Sequence, residues 1–225
     1  MKKISLFIFL SLAITPQLYS QITFLPKLGV SYSHVTYPSD FPDPEEDYKS
    51  KIGLILGVAA EIPLIGEMLS VQPELLFHQK GFKYKYLDDT WKDDYNYTLN
   101  YLELPILAKV NFGKFYAEAG PSFAYGIGGK YKGTTSYMGD EETYDGKIKF
   151  GSEPANSDPD DHYVDNALDI CVQIGVGVKV SVIVIDLRYG MGLTNIYDEF
   201  GSYESLKSKN GSLQLTVGYP IGGKK

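Results

Sequence analysis

From Thr23 onward the chain alternates apolar and polar residues at period two, the pattern of strands whose two faces meet different surroundings. The spacing predicts strands over about Thr23–Tyr37, Lys51–Ile62, Met68–Tyr86, Tyr95–Phe112, Phe115–Gly126, Asn166–Ser181, Ile183–Leu193 and Leu213–Ile221. "YLELPILAKV" (101–110) shows the pattern at its clearest. Leu102, Leu104, Ile106, Ala108 and Val110 share one face, while Glu103 and Lys109 stand on the other. No 3.6-residue period appears outside the first 20 residues.

The links between these strands alternate in length. "PLIGE", "GK" and "KVSV" are short. "PSDFPDPEEDYKS", "LDDTWKDD", the acidic stretch 133–165 and "TNIYDEFGSYESLKSKN" are long and polar. An even number of strands, with short turns at one end and long loops at the other, is the plan of an outer-membrane barrel. The fold expected is therefore all-β: an eight-stranded antiparallel up-and-down transmembrane β-barrel, built as one domain over residues 21–225.

The first 20 residues read as a signal peptide. Lys2 and Lys3 precede the apolar run Ile4–Ile14, and a polar stretch ends at Ser20. That run is too short for a membrane-spanning helix, which needs about 20 residues. The single cysteine, Cys171, excludes an internal disulfide and is expected to pack inside the fold. A net charge of −7 argues against nucleic acid, which requires a basic stripe.

Two orientations are open on composition alone: the apolar face inside a soluble, lipocalin-like ligand-binding barrel, or outside against lipid. Three features favour lipid. The polar face is rich in Gly, Ala and Ser, which suits the narrow interior of a small barrel. Aromatics such as Phe24, Tyr37, Phe112, Phe115, Tyr125, Tyr189 and Tyr219 lie near strand ends on the apolar face, as interfacial girdles do. The polar face also carries nearly balanced charge: Glu61, Glu74, Glu103, Glu118, Asp169 and Asp186 against Lys27, Lys80, Lys109, Lys179 and Arg188. A basic residue on the lipid face near the midplane would cost about 2–4 kcal/mol. The charged face should therefore be the buried one, with Glu74, Glu103, Lys109, Glu118, Asp186 and Arg188 forming a charge network in the lumen.

Five ordered motifs carry a family resemblance: "SVQPELLFHQKGF" (70–82), "YLELPILAKV" (101–110), "YAEAGPSFAYGI" (116–127), "DLRYGMGLTNI" (186–196) and "SLQLTVGYPIG" (212–222). Together they resemble the Bacteroidetes outer-membrane β-barrel proteins of the porin family, PorT-like group. The resemblance implies a cell outer membrane location and contact with outer-membrane lipid and lipopolysaccharide. PorT itself is linked to a secretion pathway, so a structural or interaction role as an envelope or secretion accessory is implied, with protein partners at the long outer loops.

No enzyme, cofactor or metal is expected, and the chain is expected to be a monomer without a diffusive pore. Asp158, Asp160, Asp161 and Asp165 offer oxygen ligands, but their spacing lacks the EF-hand pattern. A lipid-modifying enzyme is the remaining alternative. It would require His34 or His78 beside a Ser and a carboxylate, and no nucleophile-elbow motif is present.

Overall fold

The computed structural model describes residues 22–36, 46–154, 156, 158–196 and 208–223. The expected signal peptide and Tyr37 lie outside the described residues. The described elements are all strands. They are β1 (Thr23–Thr36), β2 (Glu46–Ile65), β3 (Leu69–Leu87), β4 (Trp91–Phe112), β5 (Phe115–Tyr137), β6 (Asp140–Phe150), β7 (His162–Val164), β8 (Leu168–Val180), β9 (Ile183–Gly192), β10 (Lys209–Gly218) and β11 (Ile221–Gly222).

Pairing makes a closed circuit. The hydrogen-bonded order is β4-β3-β2-β1-β10-β9-β8-β5, and β5 pairs back onto β4. Every link in this circuit is antiparallel. Off the circuit, β6 continues from the far half of β5, β7 adds to β6 in parallel, and β11 pairs with the start of β1. Because strands adjacent in sequence are adjacent in the circuit, most of it is made of hairpins. A closed circuit leaves no long unpaired edge, so backbone N–H and C=O groups are satisfied without solvent.

The two faces of each strand meet opposite surroundings. On β4, Leu102, Leu104 and Ile106 are 46 %, 44 % and 40 % exposed, whereas Glu103 and Lys109 are 1 % and 0 % exposed. The same inversion holds on β10, where Leu213, Leu215 and Val217 face out and Ser212, Gln214 and Thr216 are buried. The aromatics Phe24, Phe112, Phe115, Tyr125, Tyr189 and Tyr219 are exposed as well. Among the described residues the buried apolar side chains form two clusters, with Ile55, Leu76, Leu107 and Cys171 buried outside both. Val35, Phe82, Leu99, Tyr101, Ala124, Ile148, Val164 and Ile196 form a cluster at the long-loop end, while Leu25, Ala59, Tyr116 and Val184 form a smaller one.

The structure corrects the expected segmentation. Among the described residues there are eleven strands, and several run far into stretches read as loops. Strand β5 continues to Tyr137, turns at Met138–Gly139 and returns as β6, so much of the acidic stretch 133–165 is a hairpin. Both turn residues have positive φ (51° and 98°), and Gly139 meets this at no steric cost. Likewise "LDDTWKDD" contains only the tight connection Asp88–Thr90, because β3 and β4 pair as far as Leu87 and Lys92. Strand β2 starts within "PSDFPDPEEDYKS" and extends through most of "PLIGE". These extensions alternate Tyr and Thr with Lys and Asp. Such residues pack well as strands but give little apolar contrast for a period-two reading.

Cys171, 4 % exposed and facing the inside of the circuit, gives a direct test of this inversion. In the folded protein it should resist maleimide labelling, and it should label fully after heat denaturation in SDS, as read by mass spectrometry.

Candidate functional site

The inward face of the circuit is built from charges, and register decides which of them meet. Asp186 and Arg188 are inward neighbours on β9, Glu74 lies on β3, Glu118 on β5 and Lys27 on β1. Arg188 is the hub. Its Nη1 and Nη2 donate to Glu74 Oε2 and Oε1 at 2.7 Å each, its Nε donates to Glu118 Oε1, and its Nη2 lies 3.7 Å from Asp186 Oδ2. The planar guanidinium fork matches a carboxylate on one edge and leaves Nε for a second. Lys27 Nζ closes the cluster at 3.0 Å from Glu74 Oε1 and 2.6 Å from Asp186 Oδ2. Thr216 Oγ1 and the Tyr116 hydroxyl also donate to Asp186.

Glycine on β8 makes the room. A Cβ on Gly177 would lie 2.1 Å from Cζ of Tyr116, and one on Gly175 would lie 2.7 Å from Cγ of Arg188. The glycine-rich inner face is thus a set of sockets for large side chains reaching from neighbouring strands.

Lys109 joins this cluster through Gln72. Although Lys109 and Glu118 are directly opposed on β4 and β5, Lys109 Nζ donates instead to Gln72 Oε1 (3.0 Å) and Glu61 Oε2 (3.1 Å). Gln72 Nε2 in turn donates to Glu74 Oε1 at 2.6 Å. The Lys109 ammonium also stands 3.8 Å from the centroid of the Tyr116 ring, a cation–π contact. On the short-turn side of Lys109, a vestibule of about 730 Å³ is lined by residues including Glu61, Ser70 and Lys179. Beyond it Lys109, Gln72, Glu74 and Arg188 are fully buried.

Glu103 belongs to a second cluster nearer the long loops. It accepts from Ser122 Oγ (2.6 Å) and Gln173 Nε2 (2.7 Å), and its Oε2 lies against His78 Nδ1. Lys80 Nζ is 3.8 Å from Glu103 and 3.0 Å from Asp169 Oδ2, which also accepts from Asn210 Nδ2 at 2.8 Å. The six residues expected to form one network therefore fall into two groups: Glu74, Lys109, Glu118, Asp186 and Arg188 in one, Glu103 in the other. The hydrogen-bonding neutral groups Gln72, Tyr116, Ser122, Gln173 and Asn210 had no place in the expected network. Inward parity was the available signal for each, but partner choice was not.

His78, Glu103 and Ser122 bring together the three residue types of a hydrolytic triad, in the wrong order. In a triad the imidazole stands between nucleophile and carboxylate. Here the carboxylate stands between, so Ser122 donates to Glu103 rather than to His78, and all three are buried. His34 lies beside Tyr189 with ring centroids 6.5 Å apart. His162 sits among Tyr97 and Tyr131, outside the apolar band, and burial there pulls its pKa below the usual imidazole value against the opposing pull of Asp165. Of the acidic residues at 158–165, Asp161 pairs with Lys149 and Asp158 Oδ1 accepts from the Asp160 backbone N–H (3.2 Å). Among the described residues no group of three or more His, Cys, Asp or Glu could hold a metal ion.

A closed antiparallel circuit with an apolar exterior and a charged, hydrogen-bonded interior marks an outer-membrane β-barrel protein. The family model described as "Outer membrane protein beta-barrel domain" matches residues 17–198, and the chain belongs to that family. Among solved structures it is similar to Ail, the attachment invasion locus protein of Yersinia pestis, at 14 % identity over 89 % of this chain and 99 % of that one, TM-score 0.42. It is also similar to Neisserial surface protein A (10 %, 88 % and 97 %, TM-score 0.44) and to the N-terminal β-barrel domain of Pseudomonas aeruginosa OprF (10 %, 87 % and 97 %, TM-score 0.28). A comparison with curated proteins finds no match.

Arg188→Met should leave Glu74 and Glu118 without their main counter-charge, a loss of about 3–5 kcal/mol for a broken buried pair. Guanidinium unfolding in detergent micelles would register it as a lower midpoint. Gly177→Leu, which evicts the Tyr116 ring, should lower the midpoint too while leaving every charge in place.

Proposed function

We propose that the chain is an eight-stranded, antiparallel, up-and-down transmembrane β-barrel of the cell outer membrane whose interior is plugged by its own salt bridges. On this reading its role is structural or interactive, as an envelope or secretion accessory, and it is neither a diffusive pore nor an enzyme. The eight barrel strands are β1–β5 and β8–β10, with residues 1–20 a signal peptide and 21–225 the barrel domain. Its surroundings are outer-membrane lipid and lipopolysaccharide, and protein partners meet the long-loop end of a monomer.

The observation that carries the reading is the Arg188 cluster spanning the interior from β9 to β3 and β5, with Lys27 of β1 completing it. A small barrel has room for side chains only, and fully buried, mutually paired charges leave no aqueous path along its axis. The exposed aliphatic belt on the outer wall supports lipid there, since an apolar patch of this extent is not left to water. The PorT-like motifs support the accessory role. The carboxylate-centred arrangement of His78, Glu103 and Ser122 supports a structural use of residues that a lipid-modifying enzyme would need exposed at the rim.

Planar-bilayer recording of the refolded protein should show no stable large conductance, and a steady open channel would overturn the plugged-barrel reading. Membranes washed with carbonate should retain the protein until detergent is added. Release without detergent would favour the soluble, lipocalin-like alternative.

A further inference from the structure

The outer wall changes character abruptly where the apolar belt ends on the long-loop side. Ile52, Leu102, Tyr125 and Ile127 are exposed and apolar. Immediately beyond them, two successive outward rows across β2 to β6 are dominated by lysine. In the first row Lys130 lies directly opposite Lys147 on one side and Thr98 on the other, and Lys51 reaches across β3 to donate to Thr98 and Asn96. In the second, Lys49 opposes Lys83, which opposes Asn96, which opposes Lys132. Like charges set directly opposite on neighbouring strands repel, so the fold holds this arrangement against its own electrostatics.

The acids nearby do not neutralise it. Asp47 pairs with Lys49 at 3.0 Å, Asp94 is engaged by Lys85 one row further out, and Asp145 stands opposite Lys132. Lys83, Lys130 and Lys147 are exposed and make no ion pair among the described residues.

We propose that Lys51, Lys83, Lys130 and Lys147 form a binding site on the barrel's outer wall for the phosphate of an outer-leaflet glycolipid whose acyl chains cover the apolar belt below. The inference rests on the outer-membrane barrel reading and names the lipid class that would occupy one sector of it. Charge complementarity supplies the headgroup specificity, and continuity with the belt supplies the rest. An ammonium cluster at headgroup level attracts a phosphate, while Ile52, Leu102, Tyr125 and Ile127 offer the same molecule a surface for its chains. A free phosphate could use only the first half of this surface. Each lysine near an anionic lipid surface strengthens attachment severalfold.

The test uses the full chain refolded in detergent micelles, with binding to bisphosphorylated lipid A and to its dephosphorylated form read by native mass spectrometry. Wild-type protein should retain the bisphosphorylated lipid roughly tenfold more tightly than the dephosphorylated one, and Lys83→Gln/Lys130→Gln should lose roughly tenfold or more of that binding. Lys114→Gln, which removes a lysine at the short-turn end, should bind as wild type does. Heat-dependent gel mobility keeps both variants honest as folded barrels. Equal retention by the Lys83/Lys130 variant would overturn the site, as would displacement of lipid A by inorganic phosphate at comparable concentration. Failure of the barrel reading would show differently, as wild-type protein released from carbonate-washed membranes.

Discussion

The interaction on which the structure depends is the buried guanidinium of Arg188 shared between Glu74 and Glu118. Removing two carboxylates and an arginine from water costs several kcal/mol per ion, and only close, multiply hydrogen-bonded geometry offsets it. The fork supplies that geometry by joining β9 to β3 and β5, strands that are not neighbours in the circuit. Lys27 ties β1 to the same carboxylate and to Asp186. The backbone ladders close the circuit around its circumference, and these ion pairs brace it across its interior.

This bracing explains why the inner face is so rich in glycine and why the charges at mid-height lie inside rather than on the apolar belt. A large inward side chain needs space on the strand opposite, and Gly175 and Gly177 provide it for Arg188 and Tyr116. With the interior filled by polar groups, burial of aliphatic side chains between strands contributes little. The aliphatic residues are left on the outside, where lipid rather than a protein core receives them. The usual relation between hydrophobicity and burial is thereby reversed, and the solvent, not the chain's composition, is the cause.

At the long-loop end the construction changes again. Stacked rings take over from ion pairs inside the wall. Phe82 stacks on Tyr97 at 4.8 Å between centroids, and Tyr97 stacks on Tyr131 at 6.0 Å. Here β3 to β6 stand beyond the apolar belt with lysines on their outer surface. A structural interior and a charged exterior thus meet at the level where a lipid headgroup would lie.

Much of this was legible in the alternation of "YLELPILAKV" and its counterparts. Period two assigns inward and outward residues within each unbroken run of strand, though the irregularities in β2 and β5 shift it, as between Ile127 and Lys130; the balance of acids and bases on one face argued that this face was the interior. Two things were not legible. The outer ends of β2, β4 and β5 and the whole of β6 lack apolar contrast, so Tyr, Thr and Lys in alternation read as loop until cross-strand pairing showed them to be strand. The partners of individual charges were equally hidden: Lys109 faces Glu118 across a strand pair yet binds Glu61 and Gln72, while Glu103 stands apart with His78, Lys80, Ser122 and Gln173. The sequence by itself determined which side of a strand a residue occupies within each regular run, because that follows from local backbone geometry. Only the tertiary structure decided which charge meets which, because that depends on the register of strands as many as 114 residues apart.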